Sequence, residues 1–431
     1  MYYFLALLPV CQIIEDFLEA EIFGIYLTPL RIWFLVGLLI SINYLHPKPL
    51  LQFIESSKVH SAFLIFCIFN LFSTFQPATA TSTAIFYFGI WLSVITVSIR
   101  FNTNQTDSLI DIQKVVTMLK VVFWMNISAS SLQVIFRDHI FYRLGSLGSI
   151  SGSHLIYPIT DTTPYANFVT GLHIERLFLC EFLLIGLVIY LFSNRNLIFK
   201  LSITLWVSLI IVATGSFTGL AAFLLLISIH IVRIFSGLMR WCLIFLIPFF
   251  LVVLSMQINS KDSKDFLENI YGSKKAASIT TEYRFNNWRF VSSEYLIEKL
   301  SFDHHLIGGN GFRANEYMLR DVWIAYNQSK HLIDYVEAKP QSVHNILSVL
   351  YDQGLIAFIS LVTMLVFLIK YTLSSNPEPE KILYDKLFQC FLILTSLRFL
   401  FYYHSSPRFS LILCIVFFSY LKHNDSQNTT I

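Results

Sequence analysis

SVHNILSVLYDQGLIAF, residues 342–358, is the point at which a long polar segment runs into an apolar helix. Pro340 bars that helix from starting much earlier, because proline lacks an N–H and clashes with the preceding turn, and Ser342 is a candidate N-cap. From His344 to about residue 369 the chain is apolar enough, and long enough, to cross ~30 Å of hydrocarbon, which takes about 20 residues. Upstream, Gln257–Val343 holds eleven of the chain's thirty Lys and Arg residues and eleven of its twenty-seven Asp and Glu. A polar segment delivered to the mouth of a spanning helix is the feature from which the rest of the reading follows.

Working outward, 55% of the 431 residues are hydrophobic, 13% are charged, and mean hydropathy is +0.63. A soluble domain carries roughly 25% charged residues, so half that share with repeated apolar runs indicates a multi-spanning membrane protein. Forty-one phenylalanines and a 16% aromatic share suit lipid-facing and interfacial surfaces. The net charge of +3 is too small to imply a nucleic-acid partner. The expected fold is all-α, a bundle of about twelve transmembrane helices with a large helical loop before the tenth. Spans are expected near 2–14, 23–45, 60–75, 82–99, 115–136, 174–193, 197–213, 217–236, 239–256, 344–369, 385–403 and 407–421. The chain then divides into 1–256 (spans one to nine, with an outer loop near 137–173), 257–343 (the large loop), and 344–431 (the last three spans and a tail).

Short loops on one side carry Lys48 and Lys58, Arg100 and Lys114, Arg195 and Lys200, Arg233 and Arg240, and Lys370, Lys381 and Lys386. The short segments on the other side carry none, so the positive-inside rule puts both termini in the cytoplasm and the large loop outside. The opening MYYFLALLPV lacks a basic leader region and a small-residue cleavage site, and reads as a retained first span. All six cysteines lie in apolar stretches, so neither a disulfide framework nor a thiolate metal site is expected. Within the loop, FVSSEYLIEKL (290–300) and NEYMLRDVWIAY (315–326) have the spacing of amphipathic helices.

Four groups of residues could carry chemistry. His344, Ser348 and Tyr351 share one face of the entering helix, with Asn345 and Asp352 beside it. A polar stripe there is costly unless it faces a cavity or the bundle interior. An imidazole with an ordinary pKa of ~6.5 could take a proton from an attacking hydroxyl, or His344 could be an interfacial histidine bonded to a loop carbonyl. In TEYRFNNWRF (281–290), Arg284 and Arg289 beside Tyr283 and Trp288 could grip phosphate oxygens and stack on a sugar, or form a solvated loop with surface ion pairs. The glycines of IGGNGFR (307–313) would let backbone amides approach an anion, but no Lys-Ser or Lys-Thr follows as in a P-loop, and a tight turn between two capping helices is the expected reading of its shape. Asp303, His304 and His305 are too close in sequence to converge on one metal. Last, Arg176, Glu181 and Arg398 are ionisable groups inside spans; a Glu181–Arg398 pair, structural or at a cavity edge, would offset their cost.

In order and spacing, these features resemble the O-antigen polymerase and O-antigen ligase family of polytopic membrane glycosyltransferases. SVHNILSVLYDQGLIAF resembles the family's His-Asn helix after the large periplasmic loop, and YRFNNW followed by IGGNGF resembles segments within that loop. The motif resemblance covers residues 210–358; the N-terminal half is similar in hydropathy only. The resemblance implies glycosyl transfer without metal or cofactor at the periplasmic face of a bacterial inner membrane. The donor would be an oligosaccharide linked through pyrophosphate to a polyprenyl lipid. It further implies that His344 activates the acceptor hydroxyl and Arg284 binds the donor pyrophosphate. Tyr283, Arg289, Arg313, Arg143, Arg176 and Asn345 are the substrate-binding candidates. A chain-length-determining membrane protein is an implied partner. One departure is TGSFTG (214–219), with Phe217 where many relatives carry an arginine. The expected activity is repeat-unit polymerisation; a ligase acting on a lipid core and a lipid flippase are the alternatives.

Overall fold

A protein in hydrocarbon must satisfy its backbone polar groups internally, so apolar spans become helices. The computed structural model bears this out for the residues it describes, which are 3–14, 20–22, 25–75, 81–103, 105–136, 169, 171–173, 176–232, 295–300, 306–319, 346–374, 381–401 and 409–428. Helices α1 (Phe4–Ile14), α2 (Pro29–Ser41), α3 (Pro47–Ser56), α4 (Lys58–Ser73), α5 (Thr81–Thr103) and α6 (Gln105–Phe136) come first. Next are α7 (Arg176–Leu191), α8 (Leu197–Thr214) and α9 (Phe217–Val232), then the short α10 (Ala314–Met318). The chain closes with α11 (Ile346–Ser374), α12 (Ile382–Phe401) and α13 (Phe409–Asn428). Between α1 and α2, β1 (Ala20–Ile22) pairs with β2 (Ile25–Leu27).

A helix lies at every expected span except 239–256, which is outside the described residues. Four of these helices are long and apolar enough to cross a membrane, and five if α2 and α3 count as one bent span. Local chemistry starts and stops them where the sequence allows. Thr28 caps α2, with Pro29 at its first turn. Ser57 Oγ accepts from the Val59 and His60 amides at the start of α4, and Asn196 accepts from Phe199 N at the start of α8. At TGSFTG, α8 ends on Gly215 in the left-handed region, and Ser216 Oγ then accepts from Gly219 N at 3.1 Å to open α9. That segment is a tight helical hairpin.

The chain forms two compact units. The first comprises Met1–Gln12, Glu21–Val116 and Asn287–Ile431, and the second Ile13–Ala20 and Thr117–Asn286. In the first, α2 packs along α5, α4 along α11, and α12 along α13. Phe66 on α4 meets Trp91 of α5 edge-on at 5.7 Å and Phe399 of α12 at 6.1 Å. Lipid tails are as apolar as leucine, so such packing rests on dispersion and shape. Trp33 adds a buried bond, its indole N–H donating to Phe4 O at 2.8 Å. In the second unit α7 packs against α8 and α9. There Gly186 of α7 sits against the buried Phe123 ring of α6, where a Cβ would fall 2.1 Å from the ring.

The pairing of β1 with β2, which falls partly in the expected span 23–45, and one helix were not foreseen. The stretch carrying Lys48, expected as a loop, is the helix α3, turned 100° from α2.

Candidate functional site

Helix α11 is broken. Gly354 stands at φ 86°, ψ 178°, far from helical values, eight residues after Ile346. A break of this kind frees carbonyls that would otherwise bond within the helix, and buried free carbonyls need partners. The glycine loop supplies them. Asn310 N donates to Tyr351 O at 2.9 Å and Gly311 N to Asp352 O at 3.0 Å. Asn310 Nδ2 reaches the same Tyr351 carbonyl at 3.1 Å. In return Leu355 N, just past the break, donates to Leu306 O at 2.8 Å.

The two backbones touch. A Cβ on Gly309 would lie 2.3 Å from Asp352 O, and one on Gly354 would lie 2.3 Å from Ile307 O. Both residues also have φ between +80° and +90° (81° and 86°), a region side chains disfavour. Glycine is therefore required on each side of the joint. Phe312 N donates to Ser73 O at 3.0 Å, tying the loop to the end of α4, and the Phe312 ring lies 4.7 Å from Tyr87 of α5.

Asp352 completes the joint. It is 1% exposed and accepts from Asn315 N at 2.8 Å and Asn315 Nδ2 at 2.5 Å. A buried carboxylate needs this many donors to offset its lost hydration. Beside it, the amide atoms of Gln353 are buried without a hydrogen-bond partner among the described residues.

Among the catalytic and substrate-binding candidates, Arg313 is the one whose side chain is described. It is half-buried, and its φ of 61° makes it the one non-glycine residue with positive φ among the described residues. That conformation costs about 1–2 kcal/mol. The neighbouring bonds from Phe312 N to Ser73 O and from Asn315 to Asp352 hold it there. Arg176 is the first residue of α7, without a described side chain. Arg143, Tyr283, Arg284, Arg289, His344 and Asn345 lie outside the described residues. Of the stripe expected on the entering helix, Ser348, Tyr351 and Asp352 are all buried in the protein. Glu181 and Arg398 are also buried, at 1% and 6% exposure.

Of the amphipathic loop helices, residues 295–300 are helical, with Leu296 and Leu300 buried as their spacing demands. Of NEYMLRDVWIAY, α10 takes in Asn315 to Met318, and the rest past Leu319 lies outside the described residues. For IGGNGFR, the described amides of Asn310, Gly311 and Phe312 are committed to carbonyls, so the segment is a docking turn rather than an open anion cradle at those positions. Asp352 and Asn315 were not singled out as a pair by the sequence. The available signal was Asp-Gln-Gly two turns into an apolar helix, where glycine reads as a helix stop. Among the described residues no group of three or more His, Cys, Asp or Glu could hold a metal ion. Compared with known protein families and curated proteins, the chain matches none.

Proposed function

We propose that this chain polymerises lipid-linked oligosaccharide repeat units, transferring a glycan from a polyprenyl-pyrophosphate donor to an acceptor sugar hydroxyl at the outer face of a bacterial inner membrane. The reading includes about twelve spans with both termini cytoplasmic. The observation that supports it most is the joint between residues 306–315 and 351–355. Through it, residues 306–315, in the interior of the one long polar segment, are hydrogen-bonded to the first turns of the helix that His344 and Asn345 lead. A transferase of this type needs such an attachment, because a base and an anion clamp must be held at fixed separation.

In this reaction His344 takes the proton of the acceptor hydroxyl, and the oxygen attacks the anomeric carbon as its bond to the pyrophosphate oxygen breaks. The attack inverts that carbon and needs no covalent intermediate. Charge accumulates on the leaving pyrophosphate, where Arg284 compensates it, supported by Arg289 and Arg313. Tyr283 and Asn345 contact the sugars, and Arg143 and Arg176 are further contacts to donor or acceptor.

The test is a gel profile of lipid-linked and surface glycan in cells lacking the chain, complemented with wild type, His344→Ala or Arg284→Ala. Wild type should give full ladders, and each variant single repeat units on the periplasmic side. Long chains stranded on the carrier lipid would indicate a ligase, and repeat units retained in the cytoplasm a flippase. Normal ladders from both variants would overturn the site.

A further inference from the structure

Helix α3 has three faces, and each meets a different environment. Successive residues turn about 100° around a helix. Pro49 and Phe53 therefore share one face, which is buried, the Phe53 ring lying 4.6 Å from His60 and 6.5 Å from Phe63 of α4. Rotating onward come Leu50, Ile54 and Leu51, with Ile54 and Leu51 exposed at 36% and 54%. The third face presents Lys48, Gln52 and Glu55, all exposed. A helix in water has no reason to expose its leucines beside its protein contact, and one inside hydrocarbon could not expose Lys48 and Glu55 cheaply. One environment satisfies all three faces: the boundary between lipid headgroups and acyl chains, with the helix lying flat.

We propose that α3 is an interfacial anchor, seated in the headgroup–acyl boundary of the leaflet on the side of Lys48, Lys58 and Arg100. Three observations beyond its own pattern point there. It turns 100° from α2, as a helix leaving a span for the membrane plane must. The preceding helix α2 likewise exposes apolar side chains, Ile32, Leu35 and Leu39. The turn between them is pinned at one level: the Arg100 guanidinium donates to Ile40 O at 2.8 Å and stands over the Tyr44 ring at 5.6 Å. Lys48 in the first turn of α3 and Lys58 just past its end are both exposed and suited to headgroup phosphates.

The consequence concerns height. Ser73, which receives Phe312 N from the glycine loop, closes the sixteen-residue α4 that begins directly after α3. At about 1.5 Å per residue it lies no more than ~24 Å from that floor, against a hydrocarbon thickness of ~30 Å. Anchoring α3 thereby limits how far the joint at Gly354 can ride out of the bilayer. The inference does not depend on the reaction proposed above.

The experiment places an environment-sensitive fluorescent amino acid singly at position 51, 54, 52 or 55 of the full chain in lipid nanodiscs. Quenching is read with lipids brominated near the headgroup, lipids brominated near the chain ends, and aqueous iodide. Positions 51 and 54 should be quenched several-fold more strongly by the shallow bromines than by iodide, and positions 52 and 55 the reverse. Iodide quenching at all four positions would mean that α3 stands in water. Protection of 51 and 54 from every quencher would mean that protein, such as a second copy, covers them. Strong quenching by the deep bromines at all four would mean a re-entrant hairpin. Any of these three results overturns the proposal.

Discussion

Replacing Gly309 by alanine should undo the joint, whereas the same change one residue earlier should not. At Gly309 the backbone has φ 81°, and an alanine there costs about 1–2 kcal/mol in left-handed strain. Its Cβ would also fall 2.3 Å from Asp352 O and 2.6 Å from the Gln353 carbonyl carbon. Both are backbone atoms with no room to give, so the loop must lift. Lifting removes the bonds from Asn310 N, Gly311 N and Leu355 N. At ~0.5–1.5 kcal/mol each, the total loss with the strain is about 2.5–6.5 kcal/mol. At Gly308 a Cβ meets nothing within 4 Å, and that residue is exposed, so Gly308→Ala should change stability by less than about 0.5 kcal/mol. The assay is thermal unfolding in detergent, followed with a thiol-reactive dye that reports exposure of the buried Cys67, Cys390 and Cys414. Gly309→Ala should melt several degrees below wild type and Gly308→Ala beside it. Equal melting of the two variants would refute the claim that the loop is seated in the break of α11.

Three further outcomes are expected. Asp352→Asn should lose about 2–3 kcal/mol, because a neutral amide replaces a buried acceptor of two bonds, and adding Asn315→Asp should recover only part of it, since Asn315 N keeps no carboxylate; full recovery in a double-mutant cycle of melting temperatures would contradict the backbone bond. Arg313→Gly should shift the melting temperature little, because relief of about 1–2 kcal/mol of left-handed strain is offset by the greater unfolded-chain entropy of glycine and by loss of the interactions Arg313 makes, while on the proposed function it lowers glycan elongation; a change above about 2 kcal/mol in either direction would contradict this balance. In the second unit, Gly186→Ala should cost about 1–3 kcal/mol by driving a methyl into the Phe123 ring, and Phe123→Leu should restore part of the loss in the double variant; two independent, additive losses would mean that the two residues do not meet.

Much of this molecule is written locally. Hydropathy alone places a helix at each described span, because in hydrocarbon a helix closes every backbone bond within its own segment. Ser57, Asn196 and Gly215 mark helix ends for equally local reasons, since a cap acts within one turn. The burial of Ser348, Tyr351 and Asp352 also follows locally, from the cost of turning polar groups toward lipid. Lys48 in a short loop was legible as a charge but not as part of a helix, because Phe53 finds its burial against His60 and Phe63 of the next element. What only the tertiary structure decided is the joint. Hydropathy reads 344–369 as one span; Gly354 permits a break there, but nothing within the segment decides that the break will form. That departure is stable because Asn310 and Gly311, about forty residues earlier (Asn310 and Tyr351 are 41 apart), cover the carbonyls it frees. Asp352 can stay buried because Asn315 meets it from 37 residues away. Apolar pattern is a property of a segment, whereas the satisfaction of a broken backbone is a property of two segments brought together by the fold.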